Sequence, residues 1–533
     1  MAKRQPDTLA IAWPVAGGGH ASWTYSELNR ESNRAARGLE GCGIRQGMRT
    51  VLMVKPGPEF FALTFALFKI GAVPVLVDPG LGRKNLKRCL AEAEPEAFIG
   101  IPKAHAARIL FGWARRSLRR LVTVGGPRLW GGADYEALKS PDASAFQNAT
   151  RTGDAAAILF TSGGTGAPKG AVYTHGNFAA QVDILREIYG IEPGEVDLPT
   201  FPLFALFAPA LGMSAVIPDM DFTRPAAVDP AKIVAAIRKF NVTQMFGSPA
   251  LIRRVGAYLD DEDIQLTTVR RVISAGAPVP AATLARFTRH LPKDAEVHTP
   301  YGATEALPVA TIGSREILAG TCAATAKGAG VCVGRPVGGV RVRIIRITDR
   351  SIPVWSDDWE APPGEIGEIV VAGPVVTGSY HNRARANRRS KIPAPERGGF
   401  YHRMGDLGYF DHDGRLWFCG RKSHRVPAPD RLYYTIPCEG VFNEHPQVYR
   451  TALVGVRRGR IYEPVLCVER EHSGEEVRLG TLRDELLALG AAHEHTRDIK
   501  KILFHDAFPV DIRHNAKIFR EQLAVWAEDK LRW

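Results

Sequence analysis

The sequence has no Cys-x-x-Cys pair, no internal repeat, no low-complexity block, and no apolar run near the ~18 residues that a membrane span requires. Each absence removes a class. The seven cysteines (Cys42, Cys89, Cys322, Cys332, Cys419, Cys438, Cys467) are an odd set without zinc-ligand spacing. That argues against a disulfide framework and a zinc site, and fits a reducing compartment. No N-terminal apolar segment reads as a signal peptide. A soluble, cytoplasmic protein with no transmembrane segment is expected.

With 533 residues, 45% hydrophobic and 23% charged, the chain is long enough for two to four domains around a large core. The net charge of +13 is spread along it. The densest basic group, Arg383 to Lys391, suits a solvated loop better than a nucleic-acid groove. No nucleic-acid partner is expected; diffuse basicity serves rather to draw in small anions.

The most informative stretch is Thr161-Ser162-Gly163-Gly164-Thr165-Gly166-Ala167-Pro168-Lys169-Gly170, reached through the apolar run Ala155 to Phe160. Glycines let backbone N–H groups approach a phosphate chain, hydroxyls add donors and the lysine adds charge. It is not the common P-loop, which needs Gly-x-x-x-x-Gly-Lys-Ser/Thr opening a helix. Here an extended run, Ala171 to Tyr173, follows. A surface turn is the alternative, but ten defined positions ending in Pro-Lys-Gly favour nucleotide binding.

Around it the pattern alternates. Leu9 to Trp13 is extended, and Thr24-x-x-Glu27 is a capping box opening a helix that buries Leu28, Ala35 and Leu39 and ends near Gly41–Gly43. Strands at Thr50–Val54, Val73–Val77 and Ala97–Ile101 alternate with helices at Pro58–Ile70 and Arg83–Ala93, which implies a parallel sheet. The glycine-rich loop then follows a strand, where α/β sheets bind ligands. Phe201 to Gly212 is dense in aromatic and aliphatic groups, part core and part pocket wall. Its two interior prolines argue against one regular helix. Pro230 to Phe240 reads as helix, Thr243 to Phe246 as strand, Arg271 to Pro278 as strand then loop, and Ala319 to Gly339 as an irregular insertion. Glu365–Ala372 and Gly408–Phe418 read as strands of a β-rich subdomain. Past Gly420 to His424, strands at Thr451–Val456 and Val465–Glu469 and helices at Glu475–Leu489 and Phe519–Lys530 suggest a small α+β module.

Three further stretches complete a set. Tyr301-Gly302-Ala303-Thr304-Glu305 joins a hydroxyl to a carboxylate, Tyr401 to Asp406 supplies a second acid, and Arg513-His514-Asn515-Ala516-Lys517 brings a lysine near the end. In this order the set resembles the acyl-adenylate-forming superfamily over nearly the whole chain. The resemblance implies an α/β fold: a large N-terminal domain (1–420) of parallel and mixed sheets with flanking helices and a β-rich subdomain, then a small mobile α+β lid (421–533). It implies ATP and Mg²⁺. Thr161, Ser162, Gly163, Gly164, Thr165, Gly166 and Lys169 would hold the β- and γ-phosphates; Gly276 and Ala277 would border the adenine, with Tyr301 nearby. Thr304 would touch the α-phosphate, Glu305 would ligate Mg²⁺, Asp406 would take the ribose hydroxyls with Arg421 beside it, and Lys517 would neutralise charge where the substrate carboxylate attacks the α-phosphate.

Departures narrow the resemblance. Gly164 stands where Ser or Thr is usual, Ala205 where histidine is usual, and Ser423 where Asp or Lys is common. Arg425 to Pro437 lacks the glycine-rich lid loop that faces coenzyme A, so thiol transfer does not carry over. Phe201–Arg224, the insertion before Val333-Gly334-Arg335-Pro336, and Phe508–Lys517 resemble the olefin β-lactone synthetases of bacterial hydrocarbon biosynthesis. That implies a 2-alkyl-3-hydroxy fatty acid as substrate, closed to a β-lactone after adenylation, with Phe201, Phe204, Phe207 and Leu211 walling the alkyl site. Assembly with other enzymes of that pathway is a further implication. An acyl-CoA ligase and a non-catalytic scaffold remain the alternatives. The base for ring closure stays open; His175, His424 and His514 lie in or near the motifs. Superfamily members usually carry more residues before the first helix, which leaves the pairing of the first strand open.

Overall fold

The computed structural model describes residues 1–533 except 148–149, 162–166, 472–477, 511–516 and 532–533. Two large sheets carry the chain up to about residue 421. The first includes strands Arg49–Met53, Val73–Leu76, Ala97–Gly100 and Ala155–Phe160, which run parallel to one another. Helices Pro58–Lys69 and Gly82–Ala93 complete the crossovers between them. The capping box forms as its spacing predicts: Thr24 accepts from the Glu27 amide and Glu27 accepts from the Thr24 amide. Helix Tyr25–Gly41 then buries Leu28, Ala35 and Leu39.

The second sheet runs through strands Val196–Pro199, Gln244–Phe246, Arg271–Ile273 and Glu296–Ala303 in parallel, then turns antiparallel through Ala306–Gly313, Val331–Pro336, Leu416–Arg421 and Gly399–Phe410. The first strand, Leu9–Pro14, pairs with both His20–Thr24 and Ser214–Val216 at the far edge of this sheet.

Two expectations shift. Ala319–Gly339 is not irregular throughout: helical turns cover Ile317–Thr321 and Cys322–Ala326, and Val331–Pro336 is an interior strand. Small side chains there permit close packing, which composition alone mimics as loop. Gly408–Phe418 is not one strand, because the turn at Asp411–Arg415 divides it between Gly399–Phe410 and Leu416–Arg421.

Beyond Arg421, strands Val448–Arg458, Ile461–Arg470 and Lys501–Phe504 form a separate sheet, covered by helices Thr435–Phe442, Leu479–Ala491 and Arg520–Lys530. Its core, around Phe442, Leu453, Leu466 and Leu486, is its own. Among the described residues no helix is long and apolar enough to cross a membrane, and the seven thiols are free.

Candidate active site

The glycine-rich stretch falls, in sequence, between two antiparallel strands. Strand Ala155–Phe160 pairs antiparallel with Gly170–Thr174, so no helix follows the loop, in contrast to a P-loop. Thr161 and Lys169 clasp its base: the Thr161 amide donates to the Lys169 carbonyl at 3.0 Å and the Lys169 amide to Thr161 Oγ1 at 3.2 Å. Ser162, Gly163, Gly164, Thr165 and Gly166 lie outside the described residues.

Thr304 and Glu305 occupy a hairpin tip, between strands Glu296–Ala303 and Ala306–Gly313. Gly302 makes that turn possible, since a Cβ there would lie 2.6 Å from the Ala306 carbonyl. This tip is tied to the strand that follows the glycine-rich stretch and to that strand's neighbour. The Tyr173 hydroxyl donates to the Thr304 carbonyl at 2.6 Å, and Tyr380, on the strand beside Gly170–Thr174, donates to Glu305 Oε1 at 2.5 Å. Lys169 Nζ lies 4.9 Å from the Tyr380 ring centre, a cation–π distance. Thr377 holds the backbone of Glu305, its amide donating to the Glu305 carbonyl at 2.8 Å.

Asp406 and Arg421 face each other across paired strands, and Arg421 Nη1 donates to Asp406 Oδ1 at 2.7 Å. The Tyr301 hydroxyl donates to Asp406 Oδ2 at 2.7 Å, which brings the Tyr301–Glu305 hairpin against the same carboxylate. Asp406 holds the Arg421 guanidinium well above its usual range, while burial raises the Tyr301 phenol. Lys391 completes the positive side of the cluster: it donates to the Thr377 carbonyl, and burial draws its amine down to about 7 against the opposing pull of Glu305.

Gly276 and Ala277 lie in the loop directly after strand Arg271–Ile273, with Gly276 in the left-handed region at φ +99°. Ala275 of this loop borders a cavity of about 700 Å³, mouth included. Phe204, Phe207 and Leu211 line it; the Phe201 ring packs 5.1 Å from Phe204. The wall is two short helices, Pro202–Ala205 and Phe207–Leu211, each with its proline in the first turn, where a missing N–H is harmless.

Lys517 sits half-buried in the C-terminal unit, next to Ile518, whose backbone bridges Val510. Of the three histidines, His175 packs edge-on to Phe68, His424 pairs with Glu521 at 3.1 Å, and His514 lies outside the described residues. Sequence reasoning missed Tyr173, Tyr380, Thr377 and Lys391. The last three lie more than seventy residues from Glu305, in stretches without a motif of their own.

A lysine clasped at the base of paired strands, a carboxylate tip, a buried Asp–Arg–Tyr group and an adjoining apolar cavity suit a nucleotide meeting an apolar acid. The family model for AMP-binding enzymes matches residues 1–381. The chain belongs to the AMP-binding enzyme family. This AMP-binding enzyme is 52% identical to a protein of Xanthomonas campestris pv. campestris named olefin beta-lactone synthetase, over 99% of this chain and 96% of that one. A protein of the same name from Stenotrophomonas maltophilia is also 52% identical, over 100% and 97%. Among solved structures, the amide bond synthetase of Marinactinospora thermotolerans superposes with a TM-score of 0.80 at 23% identity, covering 97% of each chain. The O-succinylbenzoate coenzyme A synthetase of Bacillus subtilis, solved with ATP and magnesium, gives 0.75 at 20%, covering 98% of each. At those identities the likeness concerns the fold.

Proposed function

We propose that the enzyme adenylates a 2-alkyl-3-hydroxy long-chain fatty acid with ATP and closes the acyl-adenylate to a β-lactone. The observation that carries this reading is the full-length likeness, at 52% identity, to two proteins named olefin beta-lactone synthetase. The chemistry is coherent. A carboxylate oxygen attacks the α-phosphate and diphosphate leaves. The substrate's 3-hydroxyl oxygen then bonds to the acyl carbon, the bond from that carbon to AMP breaks, and AMP and a proton depart. The nucleophile is tethered, so proximity replaces a second substrate.

The residues take the following parts. The 161–169 stretch would hold the β- and γ-phosphates, with Lys169 steadied over Tyr380. Thr304 would meet the α-phosphate. Asp406, fixed by Tyr301 and Arg421, would accept from the ribose hydroxyls, and Gly276 and Ala277 would border the base. Among the described residues no three His, Cys, Asp or Glu side chains cluster as a metal cage. A Mg²⁺ carried by phosphates needs only one or two carboxylates, and Glu305 fits that part, its carboxylate held by Tyr380. Bound there, the ion would neutralise phosphate charge. Phe204, Phe207 and Leu211 would enclose an alkyl arm, with Phe201 behind them.

We place the domain boundary at 420/421, at the end of strand Leu416–Arg421 and ahead of the separate C-terminal sheet, whose first strand is Val448–Arg458; residues 421–533 would be the lid that brings Lys517 to the acyl group. Cytoplasmic location and assembly with other hydrocarbon-forming enzymes belong to the same reading.

The test supplies a racemic 2-alkyl-3-hydroxy acid with Mg·ATP and no coenzyme A. Lactone, AMP and diphosphate are expected in equal amounts. Lys517→Ala is expected to slow adenylation ~10²–10³-fold, the usual loss for one charge-stabilising donor. Thioester appearing only on addition of coenzyme A would replace this reading with an acyl-CoA ligase. Absence of diphosphate with any acid would leave a non-catalytic scaffold.

A further inference from the structure

The apolar cavity ends on a carboxyl. Asp197, 4% exposed, lines it together with Gln244, which is 6% exposed. Register explains their place. Asp197, Gln244 and Arg271 pair side by side in the parallel sheet, and Pro199, Phe246 and Ile273 form the row two residues on. Side chains two residues apart share a face, so both rows look toward the cavity side. Ala275, in the loop past the end of strand Arg271–Ile273, also lines the cavity. At ~3.3 Å per residue, the polar row lies ~7 Å below the Pro199–Phe246–Ile273 row along the strands.

This floor is built, not incidental. Gln244 Nε2 donates to Asp197 Oδ1 at 3.1 Å; Arg271 Nη1 donates to Gln244 Oε1 at 2.9 Å and to Glu195 Oε2 at 2.9 Å. Four buried polar side chains thus run in series, and the series terminates at the cavity with Asp197. An aliphatic chain that reached this carboxyl would strip it of water and offer no hydrogen bond in return, which is unfavourable.

We propose that Asp197, braced by Gln244, is the end-stop of the acyl cavity and sets the length of the one alkyl arm that enters it. The inference rests on reading this cavity as the alkyl site. The groups acting on Asp197 are Glu195 just before its strand, Gln244 on the adjoining strand and Arg271 on the strand beyond; Tyr189, at the end of helix His175–Tyr189, also lines the cavity. Burial pushes the Asp197 carboxyl up to about 7, so it is ionised by mild alkali and becomes a harsher stop.

The experiment measures ATP–pyrophosphate exchange with 2-alkyl-3-hydroxy acids lengthened one arm at a time. For the arm that enters, kcat/KM is expected to rise about fourfold per methylene, the worth of a buried CH₂, and then to break at a fixed length. Asp197→Ala moves the break to longer arms, whereas Asp197→Asn, which stays polar, keeps it. Raising the pH from about 6 to 8.5 sharpens the break in the wild-type enzyme, across the titration of the carboxyl, and leaves it unchanged in Asp197→Asn. An identical length profile for Asp197→Ala and wild type overturns the proposal. So does a wild-type break that ignores pH, a result that needs no variant to fold. Exchange reports adenylation alone, so absence of lactone would count against the ring-closure reading and leave this one standing.

Discussion

Asp197 also bears on the stability of the fold. In the unfolded chain its carboxyl titrates near the ordinary value, 3.8, and in the folded protein near about 7, because burial opposes ionisation more strongly than Gln244 and Arg271 favour it. Below pH 4 both states are protonated and the group costs nothing. As the pH rises the unfolded chain ionises first, so stability falls through the window from about 4 to about 7 and then levels off. Three pH units correspond to a loss of up to about 4 kcal/mol. Asp197→Asn removes this titration. Its unfolding free energy from urea titration is expected to exceed the wild-type value at pH 8 by a few kcal/mol, with the gain vanishing below pH 4. A gain independent of pH would mean that packing, not protonation, is responsible. Nothing in the sequence announced this residue. Asp197 stands inside an otherwise ordinary strand, and only pairing with Gln244 and Arg271 turns it into a cavity floor. Asp406, by contrast, was legible, because its neighbours in sequence form a motif even before Tyr301 and Arg421 arrive.

At the scale of elements, the antiparallel part of the second sheet is pinned by one buried ion pair. Arg403, 6% exposed, on strand Gly399–Phe410 donates to Glu368, 1% exposed, on strand Gly367–Ala372, and to the carbonyls of Thr348 and Arg350. Lys422, just past the sheet's last strand, reaches the same carboxylate at 3.0 Å. Arg403→Met leaves Glu368 to Lys422 and takes the guanidinium donor away from the carbonyls of Thr348, Arg350 and Arg389. A destabilisation of about 3 kcal/mol is therefore expected from urea unfolding. Arg403→Met combined with Glu368→Met should recover part of it, because both buried charges then go; a strictly additive double variant would argue that the pair is not coupled. Local signals predicted most elements of this fold. The Thr24 capping box, the period-two apolar runs and the proline-led helices are short-range features. What sequence left obscure was long-range or low in contrast. The turn at Asp411–Arg415 carries its own Asp-Gly signal between two strand-forming runs, whereas Cys322–Ala326 is helical in a stretch whose alanines and glycines read as loop.

Those small residues matter at the scale of the molecule, because they are where the C-terminal unit rests. Helix Thr435–Phe442 lies against Cys322–Ala326 so closely that a Cβ on Gly440 would stand 2.5 Å from the Thr325 carbonyl. Gly328 is equally tight against His495. Around this contact the ties are polar and open to solvent: Arg253 of the large unit lies 4.6 Å from the Tyr449 ring centre and donates to Glu471 at 3.3 Å, and Arg425 meets Asp349 at 2.8 Å. Exposed ion pairs of this kind contribute ~0–1 kcal/mol each, so docking rests on this close backbone approach together with the part-buried Lys422–Glu368 and Arg421–Asp406 pairs near the boundary. A side chain at 440 therefore acts on docking more than on either core. Overpacking costs ~1–3 kcal/mol, which converts to a roughly 5- to 150-fold shift of the docking equilibrium. Gly440→Leu is expected to give a larger radius of gyration in solution scattering, faster proteolysis around residues 421–430, and adenylation reduced at least about fivefold, while the thermal transition of the large unit stays in place. If the variant keeps the wild-type scattering profile and the wild-type rate, the close contact between Gly440 and Thr325 is not what seats the C-terminal unit.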